Sequence, residues 1–173
     1  MNEKIKALAE RYHAGQTRDG KEQLPYIVHP AAVARTLVEW GEPESSPTVA
    51  MAWGHDLLED TAVSEAEIRD AAGERVLAGI KLLTRPEEVE KPVYLDRVAA
   101  SGNRDAILVK LADRICNSRD RVELYGEFDA FEYLHKADRI REAAAALPPD
   151  EAIEAALRAW EDLSASLRDP AQH

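Results

Sequence analysis

The sequence predicts an all-α fold, on three observations. Apolar residues recur at helical spacing along nearly the whole chain, no stretch shows the period-2 alternation of a β-strand, and helix start and stop signals flank the periodic segments. Ile5, Leu8, Ala9 and Tyr12 form the apolar stripe of a first helix, followed by a polar, glycine-containing loop from about Gly15 to Gln23 that carries Arg18 and Lys21. A second helix begins at His29-Pro30, with proline in the first turn, presents Val33, Leu37 and Trp40, and stops at Gly41. Ser46-Pro47 opens a third, expected to run through Met51 and Trp53 to His55 and on to Asp60. Ser64 with Glu67 is a capping box for a short helix ending at Gly73, and another helix covers Glu74 to Leu83. Beyond the charged connector Arg85 to Lys91 lies a helix ending near Gly102, then one from Asn103 to about Asn117 with Ile107, Leu108, Leu111 and Ile115 inward. Two alanine-rich helices, about Phe128 to Ala146 and Asp150 to Leu167, complete the chain, with Pro148-Pro149 as the turn between them.

Length and composition limit the functional classes. At 173 residues and 45% hydrophobic content the chain is expected to be one domain, 1–173, with an ordinary core. The net charge of −11 argues against general binding to nucleic acid or to an anionic membrane, since both repel such a field. It leaves room for a small anionic substrate held by a local group of cations. No apolar run is long enough to span a bilayer, and Met1-Asn2-Glu3-Lys4 does not read as a signal peptide. The single cysteine, Cys116, agrees with a reducing cytoplasmic setting.

The chemistry concentrates at Trp53-Gly54-His55-Asp56-Leu57-Leu58-Glu59-Asp60-Thr61. An imidazole and a carboxylate adjacent in the chain can share a divalent metal, and on one helix His55/Glu59 and Asp56/Asp60 would be i,i+4 pairs. Taken singly, His29 is a helix-entry residue and Asp113 a surface charge or salt-bridge partner. As a set of two histidines and two aspartates, His29, His55, Asp56 and Asp113 offer the nitrogen and oxygen donors suited to Mn²⁺, Fe²⁺ or Zn²⁺. Glu59 and Asp60 as a mere helix end would be electrostatically unfavourable, which hints at a role other than stability. Lys110, Asp113 and Asn117 form a second polar stripe at i, i+3 and i+7. His13, His135 and His173 read as structural or exposed, Cys116 as a packing residue, and Trp40, Trp53 and Trp160 as core.

Pro25-Tyr26-Ile27-Val28-His29-Pro30, His55-Asp56-Leu57-Leu58-Glu59-Asp60-Thr61 and Val109-Lys110-Leu111-Ala112-Asp113-Arg114, with Asn117 and Arg119, resemble in order and spacing the hydrolase domain of the RelA/SpoT alarmone proteins, within the His-Asp (HD) phosphohydrolase superfamily. The resemblance covers approximately residues 1 to 140, and the chain has about the length of that domain alone, as in the small alarmone hydrolases. It implies an HD-domain helical bundle with one Mn²⁺ on His29, His55, Asp56 and Asp113. It implies cleavage of the 3′-pyrophosphate from guanosine tetra- or pentaphosphate, with Glu59 and Asp60 as the catalytic acidic pair. Arg18, Lys110, Asn117 and Arg119, and by looser alignment Lys91 and Tyr133, would contact the guanine nucleotide.

Two positions depart from that pattern. Asp19 follows Arg18 where the family often has a second cation, with Lys21 two residues on, and Cys116 stands where a histidine is common. Both bear on the substrate more than on the metal. The alternatives are an HD phosphohydrolase acting on a 5′-nucleotide, a deoxynucleoside triphosphate or NADPH, and a catalytically silent nucleotide sensor. Glu59-Asp60 speaks against both, since a pure binding site has little use for the pair.

Overall fold

The computed structural model describes residues 2–20 and 23–167; Lys21 and His173 lie outside that set. Within it every regular element is a helix: α1 (Asn2–Tyr12), α2 (Val28–Glu39), α3 (Pro47–Gly54), α4 (Leu57–Asp60), α5 (Glu65–Ala72), α6 (Glu74–Leu83), α7 (Lys91–Ala100), α8 (Arg104–Tyr125), α9 (Glu127–His135), α10 (Asp138–Ala145) and α11 (Glu151–Ser166). No strand is present among the described residues. An isolated antiparallel bridge between Thr17 and Pro25 pinches the loop after α1 into a hairpin shape.

Local chemistry accounts for most boundaries. Ser46 accepts a hydrogen bond from the Val49 amide at 3.2 Å with Pro47 next in line, and the Ser64/Glu67 capping box forms with both of its bonds. Asn103 caps α8 through the Ala106 amide, and Asp150 caps α11 through that of Ile153. Gly73 and Gly126, at φ of 85° and 88°, end α5 and α8 in a region that other residues rarely enter.

Three boundaries differ from expectation. The helix from Ser46-Pro47 breaks at His55-Asp56, so the two residues occupy a joint between α3 and α4 rather than one continuous face. The helix from Asn103 continues to Tyr125, because nothing after Asn117 breaks it before Gly126. The segment expected as one helix from Phe128 to Ala146 divides at Lys136-Ala137, where no glycine or proline signals a stop. There His135 bonds Asp138 through one ring nitrogen and Ser164 of α11 through the other, and Ala137 is fully buried, so tertiary packing sets the break.

Helices α3 and α8 are the two axles of the packing. α3 lies against α1, α2, α6 and α8, and α8 also meets α2, α6, α7, α9, α10 and α11. Ile5, Leu37, Met51, Ile80, Leu108 and Trp160 are among the side chains at its fully buried centre. Trp40 and Trp160 are core as expected, whereas Trp53 is half-buried with the Lys6 ammonium 5.3 Å from its ring centroid. At the end of α8 remote from the site, buried Asp105 accepts from Thr48 and from Arg75, while Arg104 bridges Glu42 and Asp150. This network fixes where α8 begins, and so the height at which its later turns meet α2 and α3. Leu108→Ala is expected to destabilise the fold by about 2–5 kcal/mol in urea titration, because it empties a fully buried site. Ser64→Ala, which removes only a cap, should cost about 1 kcal/mol.

Candidate active site

The joint between α3 and α4 decides the aim of the first two side chains. His55 follows the last residue of α3, and its Nδ1 lies 2.7 Å from the Ala52 carbonyl oxygen. A carbonyl only accepts, so Nδ1 carries the proton and Nε2 faces inward. His29 arrives from the first turn of α2 and Asp113 from the middle of α8, and all three residues are almost fully buried. One ligand atom from each of His29, His55 and Asp113 lies within 4.8 Å of the others, a grouping that can hold a metal ion. Asp56 joins them through Oδ2, 3.1 Å from His55 Nε2 and 3.7 Å from His29 Nε2, while Asp113 Oδ1 sits 3.2 Å from His29 Nε2.

The electrostatics follow from burial opposed by neighbours. Burial disfavours a charged His55, but Asp56 and Asp113 outweigh it and hold its pKa up at about 9. Burial likewise pushes both carboxyls up. The two imidazoles beside Asp56, and Lys110 with the imidazoles beside Asp113, reverse this and keep both well below the usual carboxylate range. His55 Nε2 is buried with no hydrogen-bond partner. An orphaned nitrogen lone pair aimed at two ionised carboxylates is costly unless a proton or a cation lies between them. The donor set therefore fits a divalent metal.

His29, Asp56 and Asp113 form the floor of a cavity of about 350 Å³, with buried His55 behind them, and its lining also includes Glu59, Asp60, Arg18, Lys91, Lys110, Asn117 and Tyr133. Glu59 accepts from the Arg85 amide at 2.9 Å, which ties it to the end of α6. Asp60 is pushed above its ordinary pKa, first by burial and then by Asp56. Lys110 pairs with Asp113 at 2.9 Å and Asn117 donates to its other oxygen, so the i, i+3, i+7 stripe converges on one carboxylate. Lys91 heads α7, and partial burial with Arg114 and Lys110 nearby brings it down to about 8. Arg18 bridges Asn117 and Asp120 from the hairpin loop.

Arg119 does not belong to this group. It is exposed, two residues beyond Asn117 and so on nearly the opposite side of α8, and it lines no part of the cavity. Asp19 lies farther out, on the walls of two neighbouring cavities of about 230 and 570 Å³ that continue from the first past Arg18 and Leu124. Cys116 is buried under α2 near the Thr36 hydroxyl and away from the cavity, in keeping with a packing role.

Sequence reasoning passed over Tyr26, Arg85 and Arg114, and read His13 as structural or exposed. Tyr26 donates its hydroxyl to Asp56 Oδ2 at 2.7 Å, with Asp60 Oδ2 at 3.1 Å, and burial plus the two carboxylates raise its pKa and keep the proton on it. Arg114, next to Asp113, is buried beneath Tyr133 with its guanidinium 4.0 Å from the ring centroid, and Arg85 lines the cavity. His13 is buried, bonded to Gln16 and stacked on Tyr26 at 4.7 Å. Tyr26 and Arg114 had a signal, their places inside the Pro25-to-Pro30 and Val109-to-Arg114 motifs, whereas Arg85 had none.

No protein-family model matches the chain. It is 34% identical over 124 residues to the zebrafish (Danio rerio) guanosine-3′,5′-bis(diphosphate) 3′-pyrophosphohydrolase MESH1, across 68% of this chain and 67% of that protein. It is 37% identical over 116 residues to the Aquifex aeolicus guanosine-3′,5′-bis(diphosphate) 3′-pyrophosphohydrolase, where the match spans 63% of this chain but 16% of the longer relative. A solved structure of a metazoan orthologue of SpoT, described as hydrolysing ppGpp, aligns with a TM-score of 0.73 over 92% of this chain and 93% of that one, and at 22% identity it shows that the fold is shared. With the zebrafish relative matched over two thirds of both chains and the helical architecture in common, the chain belongs to the guanosine-3′,5′-bis(diphosphate) 3′-pyrophosphohydrolase family.

Proposed function

We propose that this chain hydrolyses the 3′-pyrophosphate of guanosine tetra- or pentaphosphate, releasing pyrophosphate and GDP or GTP, with Mn²⁺ on His29, His55, Asp56 and Asp113. The observation that carries the reading is the convergence of these four side chains on one another, beside a cavity that an acidic pair and several cations line. The relatives bearing that activity in their names support the choice of substrate. A guanine nucleotide substrate and a free, buried cysteine both suit the cytoplasm, and among the described residues no helix is long and apolar enough to cross a membrane.

In the reaction, water adds to the phosphorus of the 3′-pyrophosphate next to the ribose, the bond from that phosphorus to the 3′ oxygen breaks, and the 3′ oxygen takes up a proton. A divalent cation at this site supplies Lewis acidity toward the phosphoryl oxygens and lowers the pKa of water. Asp60, with its raised pKa, is suited to accept the proton of the attacking water and return it to the leaving oxygen. Glu59, anchored by the Arg85 amide, orients the water. Lys91, Lys110 and Arg18 meet the charge spread over the phosphoryl oxygens, and Asn117 steadies Asp113. Tyr133 closes one wall, with Lys91 and Arg114 both against its ring.

Incubating the Mn²⁺-loaded protein with a nucleotide panel that includes ppGpp, and identifying both products, tests the reading. Pyrophosphate is expected, and orthophosphate from another nucleotide would overturn it. Asp113→Ala should lose bound Mn²⁺ and turnover together, and full occupancy with normal activity would remove Asp113 from the site.

Glu59→Gln and Asp60→Asn are expected to keep the metal and lose on the order of 10²-fold or more in kcat. Near-normal kcat in both would reassign the pair to structure.

Lys91 gives a pH dependence. Because its pKa is lowered to about 8, its charge is present below that pH and lost above it, so kcat/KM for ppGpp should fall as pH rises through about 8. Lys91→Arg keeps its charge and should carry the fall to higher pH. Superimposable profiles for the two proteins would show that Lys91 does not meet the substrate.

A further inference from the structure

We propose that Tyr26 is a positioning residue whose hydroxyl fixes the Asp56 carboxylate toward the two imidazoles and ties Asp60 to it, while its ring carries Arg18. The inference rests on the metal-site reading above and adds a residue that reading does not use.

The two metal-side carboxylates are held very differently. Asp113 receives both Lys110 and Asn117 from its own helix. Asp56 stands in the joint between α3 and α4, and among the described residues Tyr26 supplies the one hydroxyl or amide hydrogen bond to its side chain. The oxygen it bonds, Oδ2, is the one that faces His55 at 3.1 Å and His29 at 3.7 Å. A phenol has a single proton, so the 2.7 Å bond to Asp56 is the main one and Asp60 at 3.1 Å shares it. Partners of this kind orient a ligand carboxylate without touching the ion.

The ring has a separate duty. It stacks on buried His13, whose Nδ1 meets Gln16 Oε1 at 2.7 Å, and Gln16 in turn donates to the Asp60 carbonyl at 2.9 Å. The Arg18 guanidinium lies 5.6 Å from the Tyr26 centroid on its way to Asn117. The hairpin loop that presents a cation to the nucleotide is thereby braced on the residue that aims Asp56.

Hydroxyl and ring can be separated. Mn²⁺ is titrated calorimetrically into the metal-stripped wild type, Tyr26→Phe and Tyr26→Ala, with melting temperature as the check on folding and ppGpp kinetics at saturating Mn²⁺ alongside. Tyr26→Phe is expected to melt like wild type, to raise the Mn²⁺ Kd about 10-fold or more, to lower kcat, and to leave KM within about two-fold. Tyr26→Ala should also raise KM, because Arg18 loses its platform. A Mn²⁺ Kd for Tyr26→Phe within about two-fold of wild type overturns the proposal while leaving the metal site intact. A wild type that binds no divalent cation overturns the metal-site reading and this proposal with it.

Discussion

Two carboxylates and two imidazoles drawn together in a nearly dry part of the molecule are the constraint on which the rest of this structure depends. An isolated buried carboxylate is far too costly to survive, so each charge is matched: Asp113 by Lys110, Asn117 and the imidazoles, Asp56 by the imidazoles and Tyr26. The matching groups come from four places in the chain, namely α2, the α3–α4 joint, α8 and the hairpin loop. The site can exist only if those elements meet, and the packing of α3 and α8 against their neighbours secures that.

The long α8 does two jobs along its length. Its first turn, capped by Asn103 and locked through Arg104 and Asp105, is purely architectural. Two turns later the same rod presents Lys110, Asp113 and Asn117 to the cavity, and its last turns give Asp120 and Leu124 to the outer walls. The floor is thus rigid, whereas Arg18 and Tyr26 reach the cavity from the irregular segment between α1 and α2. Catalytic groups on regular elements with substrate contacts on a loop is a familiar division of labour.

Much of this was legible in the sequence. The helical class follows from periodicity, and both ends of Glu65–Ala72 and the start of Glu74–Leu83 could be read from Ser64, Glu67 and Gly73, because local capping chemistry decides them. The family motifs marked His29, Asp56, Glu59, Asp60, Lys110, Asp113 and Asn117, which line the cavity, and Arg119, which helical phase turns outward, but not Arg85. What stayed hidden depends on contacts remote in sequence. No local signal announces that the helix stops at Gly54, that His135 holds a break against Ser164, or that Arg114 lies beneath Tyr133. Tyr26 stands inside a family motif, but nothing local shows that the fold brings Asp56, thirty residues later, under its hydroxyl.

The joint at His55-Asp56 has a consequence for how this protein can evolve. Closing α3 and α4 into one unbroken helix would satisfy more backbone groups and lengthen a marginal four-residue element, so selection for thermal robustness alone would favour it. Yet the Ala52 carbonyl that orients His55 is one of the last in α3, a position where a helix end leaves carbonyls without intrahelical partners. A continuous helix would make that carbonyl share itself with a backbone amide and would change the direction in which Asp56 leaves the chain. Ancestral or consensus changes that heal the break should therefore trade activity for stability, and the joint is an imperfection that the chain has reason to keep.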